Sequence, residues 1–322
     1  MANRLAARLA ILDDHQGVAR EMAPWEDLAG RAETTFFRGP FPSAEASVAA
    51  LQGFDAVVAM RERTAFPRAV LERLPDLELL VTTGMANAAI DMDAARDLGI
   101  TVCGTSGSPA AAPELAWALL MAAARDIPAQ QEALRAGHWQ TSVGSELAGR
   151  TLGILGLGKI GTRIAGYAQA FGMEVIAWSQ NLDAEGAAEA GARLVTKRDL
   201  FAQADIVTVH LRLSGRTRGL VGEAELRLLG PEGLLVNTAR GPIVDTDALV
   251  RGLTEGWLGG AALDVFDAEP LPAGHPLLEA PRTVLTPHLG YVTREQYRIF
   301  YGQALEDVTA WLDGTPVRVL NA

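Results

Sequence analysis

The chain has 322 residues, of which 49% are hydrophobic, and a formal net charge of −11, so it can form two domains with separate cores and is not expected to be disordered. The acidic charge without any basic stripe argues against a nucleic-acid partner, and the single cysteine, Cys103, excludes internal disulfides and cysteine-rich metal sites. No apolar run approaches the length of a membrane span and the N-terminus lacks a signal-peptide layout, so we expect a cytoplasmic protein without a membrane partner.

Short apolar runs alternate with helical patterns over the first hundred residues. The predicted strands are ARLAIL (7–12), AETTFF (32–37), FDAVVAM (54–60), LELLVT (77–82) and GITVC (99–103). Helical patterns lie between them, around 43–51, 67–74 and 91–98. This alternation is typical of a parallel sheet that is covered by helices on both faces.

The rest of the chain predicts a second domain of the same class. A long apolar helix covers 110–125, and the irregular stretch GHWQTSVGSELAG follows it. A second alternation begins at Thr151, with six predicted strands: TLGIL, MEVIAW, DIVTVHL, GLLVNT, LGGAALDV and RTVLTP. An amphipathic helix that ends at Gly314 and an extended piece, PVRVL, close the chain. We therefore predict two α/β domains with parallel sheets, joined near 103–106.

A glycine-rich turn, GLGKIG, follows the first strand of the second alternation. Gly156, Gly158 and Gly161 occupy the positions of a G-x-G-x-x-G motif, in which the glycines allow a tight turn, the approach of a pyrophosphate, and close packing of helix on strand. Lys159 and Ile160 complete the predicted cofactor loop. The following helix is predicted to have an apolar face and a glycine cap: Ile160, Ile164, Ala168, Phe171 and Gly172. A strand-to-helix turn with no ligand is the alternative.

The next strand ends on Ser179, where a dinucleotide-binding unit usually has a carboxylate for the ribose. Ser179 can make one hydrogen bond to a ribose hydroxyl but has no charge to repel a 2′-phosphate. Gln180 and Asn181 supply no cation, Asp183 could fold back, and Arg212 could reach the adenosine end or simply be solvated. We therefore expect NAD and NADP both to be accepted, with discrimination below about a hundredfold.

Three further stretches carry a family resemblance: VNTARG (236–241), ALDVFDAEP (262–270) and TPHLG (286–290). With the glycine loop, in this order, they resemble the D-isomer-specific 2-hydroxyacid dehydrogenases, most of all glyoxylate/hydroxypyruvate reductases and phosphoglycerate dehydrogenases. The resemblance implies a Rossmann dinucleotide-binding domain, 104–290, inserted in a flavodoxin-like substrate domain, 1–103 and 291–322. It also implies hydride transfer between a nicotinamide cofactor and a 2-oxo acid/D-2-hydroxy acid pair, with glyoxylate, hydroxypyruvate or 3-phosphoglycerate as candidates.

The same resemblance implies a catalytic set. Arg240 would bind the substrate carboxylate and polarise the carbonyl, His288 would be the general acid/base, and Glu269 would favour and orient its imidazolium. Asp264 would lie by the nicotinamide and hold its carboxamide. Each residue alone has an ordinary alternative, as a solvated arginine, a loop histidine or a turn-starting glutamate.

Other cofactor contacts are expected from strand ends of the second domain. The resemblance places Thr238 and Ala239 beside the cofactor, and His288 would face the nicotinamide. His210 ends a strand, and we interpret it as a structural residue on the adenine side of the cofactor site.

In the first domain, the segment TTGMANAAID (82–91) matches the family's substrate loop. Gly84 fits the pattern of this substrate-binding loop, and main-chain N–H groups at Met85 and Ala86 would meet the substrate carboxylate, although Ala86 replaces a usual glycine. Arg61, in RERT, matches the pattern of phosphoglycerate dehydrogenases and would suit a phosphate-bearing substrate. Surface charge is the alternative for Arg61.

Two features depart from the family pattern or concern its assembly. Tyr291 stands where small residues are usual, and it could narrow the pocket, cap the nicotinamide edge or fill space between domains. The 105–150 segment, with Trp117 and Trp139, is expected by resemblance to form a homodimer contact.

Two other function classes stay open. A formate dehydrogenase shares the architecture, but it usually pairs the histidine with glutamine, which Glu269 does not match. A cofactor-sensing scaffold like the C-terminal-binding-protein corepressors keeps the Arg–Glu–His set without requiring turnover. The sequence does not identify the acid.

Overall fold

A computed structural model describes residues 6–322 and divides the chain into two compact units. We call the first the outer unit, formed by residues up to Ser108 together with Val292–Ala322, and the second the inserted unit, Pro109–Tyr291. The chain leaves the outer unit after Ser108 rather than after the predicted residue 103. The reason is that the N–H groups of Ser106 and Ser108 donate to the side chains of Gln303 and Gln296, on the last helix of the outer unit.

The outer unit is built on five parallel strands. The strands are β1 Ala7–Ile11, β2 Ala32–Phe36, β3 Ala56–Ala59, β4 Leu79–Thr82 and β5 Thr101–Gly104. The helices are α1 Ala19–Met22, α2 Ala44–Leu51, α3 Arg68–Leu71, α4 Met92–Asp97 and, from the end of the chain, α12 Arg294–Leu312. The strand order β2-β1-β3-β4-β5 is that of flavodoxin-like sheets. Every residue of β3 and β4 is buried, as expected for central parallel strands.

The predicted last strand, PVRVL, forms a single antiparallel bridge between Val319 and Cys103. The Asn321 side chain accepts from the Val102 N–H at 2.9 Å and donates to the Ile100 carbonyl at 2.8 Å. These side-chain bonds occupy main-chain groups that a longer strand would have used, so the ladder stops after one bridge.

The inserted unit contains seven parallel strands. The strands are β6 Thr151–Leu155, β7 Glu174–Trp178, β8 Arg193–Leu194, β9 Ile206–Val209, β10 Leu234–Asn237, β11 Gly260–Leu263 and β12 Thr283–Leu285. The helices are α5 Ala111–Ala124, α6 Ile127–Arg135, α7 Lys159–Ala170, α8 Ala184–Glu189, α9 Lys197–Gln203, α10 Glu223–Leu229 and α11 Thr246–Glu255. The strand order β12-β11-β10-β9-β6-β7-β8 is the Rossmann order with one additional strand. The predicted fold class, two parallel α/β sheets, is confirmed.

The core of the inserted unit lies on both faces of its sheet. Consecutive residues of β10 illustrate this, because Leu235 packs into one buried cluster and Val236 into the other. Since all seven strands are parallel, the loops after β6, β7, β9, β10, β11 and β12 emerge at one edge of the sheet. This edge carries the candidate catalytic and cofactor-binding residues that the sequence places in the second domain.

Three local features differ from the sequence interpretation. The sequence pattern did not predict α6, because none of its side chains is buried and it therefore has no core-facing stripe. It also did not predict β8, a two-residue edge strand that is too short for a periodic signal. Phe171 is 44% exposed and follows the end of α7, so it does not belong to the buried helix face formed by Ile164 and Ala168.

Candidate active site

The glycine loop after β6 is shaped by contacts with neighbouring backbone. Gly156 has φ +107°, and a Cβ there would lie 2.8 Å from the carbonyl carbon of His210. A Cβ on Gly161 would lie 2.3 Å from the Gly156 carbonyl oxygen. At Gly158, by contrast, a Cβ would point into open space. Gly156 and Gly161 are therefore required by the fold, whereas Gly158 leaves a cradle that a side chain would fill.

This cradle lies at the first turn of α7. Gly158 is the N-cap residue and has no side chain to cap the helix, so the N–H groups of the first turn lack intrahelical acceptors. Lys159 is exposed and Ile160 is half-buried at this turn. Uncapped N–H groups at the positive end of a helix suit a pyrophosphate, so these residues fit a nicotinamide dinucleotide.

Ser179, at the end of β7, is bonded to the glycine loop. Its Oγ accepts a hydrogen bond from the Leu157 N–H at 2.8 Å, which leaves the hydroxyl hydrogen free to donate to another group. Asp183 does not fold back, because its carboxylate caps α8 by accepting from the Gly186 N–H at 2.8 Å. Arg212 is exposed in the loop after β9. Among residues 6–322, no carboxylate therefore takes the place at the end of β7 that Ser179 holds.

His210, at the end of β9, supports the glycine loop. Its N–H donates to the Leu155 carbonyl at 2.8 Å, and its Nε2 lies 2.9 Å from the Thr208 hydroxyl. Burial lowers the pKa of His210 to about 4, so its imidazole is neutral at pH 7. These contacts agree with the structural role predicted for it, and its contact with a cofactor stays a prediction.

The loop after β10 positions Arg240. Asn237, only 1% exposed, accepts from the Ala239 N–H and donates to the Arg240 carbonyl, both at 3.0 Å. The Arg240 guanidinium donates to the Ala239 carbonyl at 2.7 Å, and Thr238, which lies between Asn237 and Ala239, is half-buried. Sequence reasoning did not single out Asn237, although a polar residue that ends a buried strand is a recognisable signal.

Glu269 and His288 form a direct pair. Their Oε2 and Nδ1 atoms are 2.5 Å apart, and the two side chains are 23% and 17% exposed. The other Glu269 oxygen accepts from the Phe266 N–H at 3.0 Å. Since Nδ1 faces Glu269, Nε2 lies on the opposite side of the imidazole ring. The structure thus forms the predicted pair between the loops after β11 and β12.

The Arg240 loop lies directly against the Glu269 loop. A Cβ on Gly241 would be 2.2 Å from the Phe266 carbonyl carbon, so the two backbones touch. The loops after β10, β11 and β12 follow neighbouring strands, which explains why residues far apart in sequence are brought to one edge.

Asp264 holds the histidine loop. Its side chain is fully buried, and its oxygens accept from the Thr286 hydroxyl at 2.6 Å and from the Leu289 and Gly290 N–H groups at 2.7 and 2.9 Å. Burial raises the pKa of Asp264, while the bonds from Thr286 and Leu289 oppose that shift. Both oxygens are buried and bonded within the inserted unit, and the predicted contact with the nicotinamide carboxamide stays a prediction.

In the outer unit, Arg61 is fixed against Gly84. Arg61 donates from its main-chain N–H to the Thr83 hydroxyl and from its guanidinium to the Thr83 carbonyl, both at 2.9 Å. Gly84 has φ +104°, and a Cβ there would lie 1.8 Å from the Arg61 guanidinium nitrogen. The Gly84 N–H donates to the Thr105 hydroxyl at 2.9 Å, so it already has an acceptor within the outer unit.

The segment after Gly84 keeps two exposed residues and one buried anchor. Met85 and Ala86 are exposed. Asn87 is 5% exposed, donates to the Arg61 carbonyl at 2.6 Å, and accepts from the Ala89 N–H at 2.8 Å. Sequence reasoning missed Asn87, although it is the one polar residue among alanines in this loop.

The segment around α6 exposes a group of apolar side chains. Four side chains are 50–98% exposed: Ile127, Leu134, Trp139 and Val143. Trp117, on α5, is half-buried and packs its ring against Tyr167 at 5.9 Å and Phe171 at 5.1 Å. Apolar residues concentrated on one exposed segment are typical of an interaction surface.

Residues 6–322 contain no group of three or more His, Cys, Asp or Glu side chains arranged to hold a metal ion. Over the same residues, no helix is long and apolar enough to span a membrane.

The glycine loop, which suits a dinucleotide, lies at the same sheet edge as the Glu269–His288 pair. This combination is characteristic of nicotinamide-dependent oxidoreductases. The chain belongs to the D-isomer-specific 2-hydroxyacid dehydrogenase family, because the family model for the NAD binding domain matches residues 117–290. The resemblance noted in the sequence is confirmed, and the chain is accordingly an oxidoreductase of 2-hydroxy and 2-oxo acids.

Individual relatives agree with this family. A glyoxylate reductase of Aeropyrum pernix is 40% identical over 263 residues, which cover 78% of each chain. A D-3-phosphoglycerate dehydrogenase of Bacillus subtilis is 35% identical over 83% of this chain but only 51% of its own length, so this chain corresponds to about half of that protein. The crystal structure of a phosphoglycerate oxidoreductase from Vibrio cholerae O395 is similar, with TM-score 0.91 and 38% identity, covering 96% of this chain and 99% of the other.

Proposed function

We propose that this protein interconverts a small 2-oxo acid and its D-2-hydroxy acid, with glyoxylate, hydroxypyruvate and the 3-phosphoglycerate pair as candidate substrates. The observation that carries the proposal is the Glu269–His288 pair, held at the sheet edge that also bears the glycine loop. Relatives that are named for glyoxylate and phosphoglycerate chemistry support the choice of candidates.

In the reductive direction, His288 donates a proton from Nε2 to the carbonyl oxygen. Glu269 fixes the ring through Nδ1, which turns Nε2 away from Glu269. Arg240 binds the substrate carboxylate with its planar guanidinium. A bound nicotinamide cofactor supplies the hydride. Asp264 acts through the loop that carries His288 and does not contact the reacting groups.

The inserted unit is the proposed cofactor-binding domain. Gly156, Gly158 and Gly161 would hold the pyrophosphate, with Lys159 and Ile160 at the helix end. Further contacts come from the strand ends that carry Ser179, His210, Thr238 and Ala239. The outer unit is the proposed substrate domain, in which Met85 and Ala86 donate main-chain N–H groups to the acid and Arg61 attracts its charge. Gly84 contributes by having no side chain, because a Cβ there would clash with the Arg61 guanidinium.

Both NAD and NADP are accepted in this proposal. The support is that no carboxylate closes β7 and that the Ser179 hydroxyl keeps its hydrogen for a ribose oxygen. Ser179→Asp should shift the ratio of kcat/KM values towards NAD, because the new carboxylate repels the 2′-phosphate. Wild-type discrimination above about a hundredfold in either direction would contradict the proposal.

A homodimer and a cytoplasmic location complete the proposal. The exposed apolar segment that includes Leu134 and Trp139 supports self-association. Sedimentation equilibrium should give the mass of two chains, and Trp139→Asp should lower that mass towards one. Location is measured by fractionating cells and following the protein with an antibody.

The deciding experiment is a panel of 2-oxo acids assayed by oxidation of each reduced cofactor. We expect turnover with at least one candidate acid and a nearly complete loss of kcat in Arg240→Ala and His288→Ala, because both residues interact with the transition state. Cofactor binding and the free energy of unfolding should stay close to wild type in both variants. Turnover of formate, or cofactor binding without turnover of any acid, would favour the two alternative classes.

A further inference from the structure

The Tyr291 ring packs against the proton donor itself. Its centroid lies 5.7 Å from that of the His288 imidazole, and the two planes meet at 68°, which is an edge-to-face arrangement. Tyr291 is half-buried. A contact with His288 differs from the three roles that the sequence suggested for Tyr291.

His288 is constrained in two other ways. Its backbone has φ +55°, an uncommon conformation for a non-glycine residue, and the two N–H groups that follow it are bonded to Asp264. Its Nδ1 is bonded to Glu269. The Tyr291 ring at 5.7 Å adds a contact on the imidazole itself, which limits rotation of the His288 ring.

We propose that Tyr291 is a positioning residue for the reaction, whose ring holds the His288 imidazole in the orientation that presents Nε2 to the substrate. The expected effect on turnover rests on the proposed function, whereas the contact between the two rings does not. The ring carries the effect, because the contact lies between the two ring systems and phenylalanine can reproduce it.

The test compares Tyr291→Ala with Tyr291→Phe in the full-length protein. Edge-to-face aromatic contacts contribute about 0.5–1.5 kcal/mol, so loss of the ring should lower kcat about 2- to 12-fold. The KM for the cofactor should not change. Tyr291→Phe should restore kcat to within about twofold of wild type.

A spectroscopic readout tests the contact without turnover. The chain has five histidines, so their ring Cε1–H resonances can be assigned with single histidine variants. Loss of the Tyr291 ring current should move the His288 resonance in Tyr291→Ala, while Tyr291→Phe should leave it near its wild-type position.

The matched control is Trp257→Ala. Trp257 is also a half-buried aromatic residue of the inserted unit, and its ring packs under the Arg227 guanidinium at 4.2 Å, on a different loop. This variant should lose stability but keep both kcat and the His288 resonance.

Three results would overturn the proposal: an unmoved His288 resonance in Tyr291→Ala, equal impairment in Tyr291→Phe, or an unchanged kcat with faster turnover of bulkier acids. The last result would make Tyr291 a wall of the pocket instead. If no acid is turned over, the proposed function fails, and the resonance shift alone decides whether the Tyr291 ring contacts His288.

Discussion

Replacing Asp264 by asparagine tests whether this residue holds the His288 loop. The asparagine amide has one accepting oxygen and one donating nitrogen. The oxygen can still accept from the Thr286 hydroxyl and the Leu289 N–H, which both bond to Oδ1 of Asp264. The nitrogen then replaces Oδ2 and faces the Gly290 N–H, 2.9 Å from the original oxygen, so two donors oppose each other.

The expected loss follows from these contacts. Leaving a buried donor without an acceptor costs about 1–3 kcal/mol. Asparagine is neutral, so the variant no longer has to bury the Asp264 charge, and this gain offsets part of the cost. We expect the free energy of unfolding to fall by about 2 kcal/mol. Because the displaced N–H groups lie next to His288, kcat should fall about 10- to 100-fold, as for a catalytic group moved by a fraction of an ångström.

Urea unfolding, steady-state kcat and cofactor affinity by fluorescence titration measure these effects. The matched control is Asp245→Asn, since Asp245 caps α11 by accepting from the Ala248 N–H and asparagine is an equally good N-cap residue. The reasoning about Asp264 fails if the variant keeps wild-type stability and kcat. It also fails if cofactor affinity falls while kcat at saturating cofactor is unchanged, because that outcome assigns Asp264 to the nicotinamide.

Other predictions follow from single sites. Gly158→Ala should fold normally but bind the cofactor more weakly, whereas Gly161→Ala should be destabilised by its clash with the loop backbone; thermal melts with and without cofactor separate the two. Burial raises the pKa of Asp307 to about 7, although the carboxylate is paired with Arg318. The part of the free energy of unfolding that depends on protonated Asp307 is therefore complete below pH about 4 and is lost as pH rises through 7. Urea midpoints of Asp307→Asn against pH should lack this decline. Burial lowers the pKa of His210 to about 4. The part of the free energy of unfolding that depends on neutral His210 is therefore complete above pH about 6.5 and is lost as pH falls through 4. The variant His210→Gln should not show this loss.

The sequence by itself determined the class of the fold and the identity of most candidate residues. Alternating strands and helices report burial on both faces of a sheet, and this pattern needs no knowledge of strand order. The glycine loop is recognisable because its spacing reflects local turn geometry around Gly156 and Gly161. Arg240, Glu269 and His288 were found because their short motifs resemble those of a known family.

Only the tertiary structure decided what several side chains do there. Asp264 holds the loop that carries His288, a role that its motif alone does not indicate. Ser179 is bonded to the glycine loop, and Asn237 and Asn87, which the sequence did not single out, anchor Arg240 and Arg61.

The physical reason is the range of the interactions. Spacing along the chain encodes contacts within one turn, helix or strand end. The bonds of Asp264 and the ring contact of Tyr291 depend on how loops from neighbouring strands meet. That meeting depends on the order β12-β11-β10 in the sheet and on left-handed backbone at His288, which no local pattern in the sequence specifies.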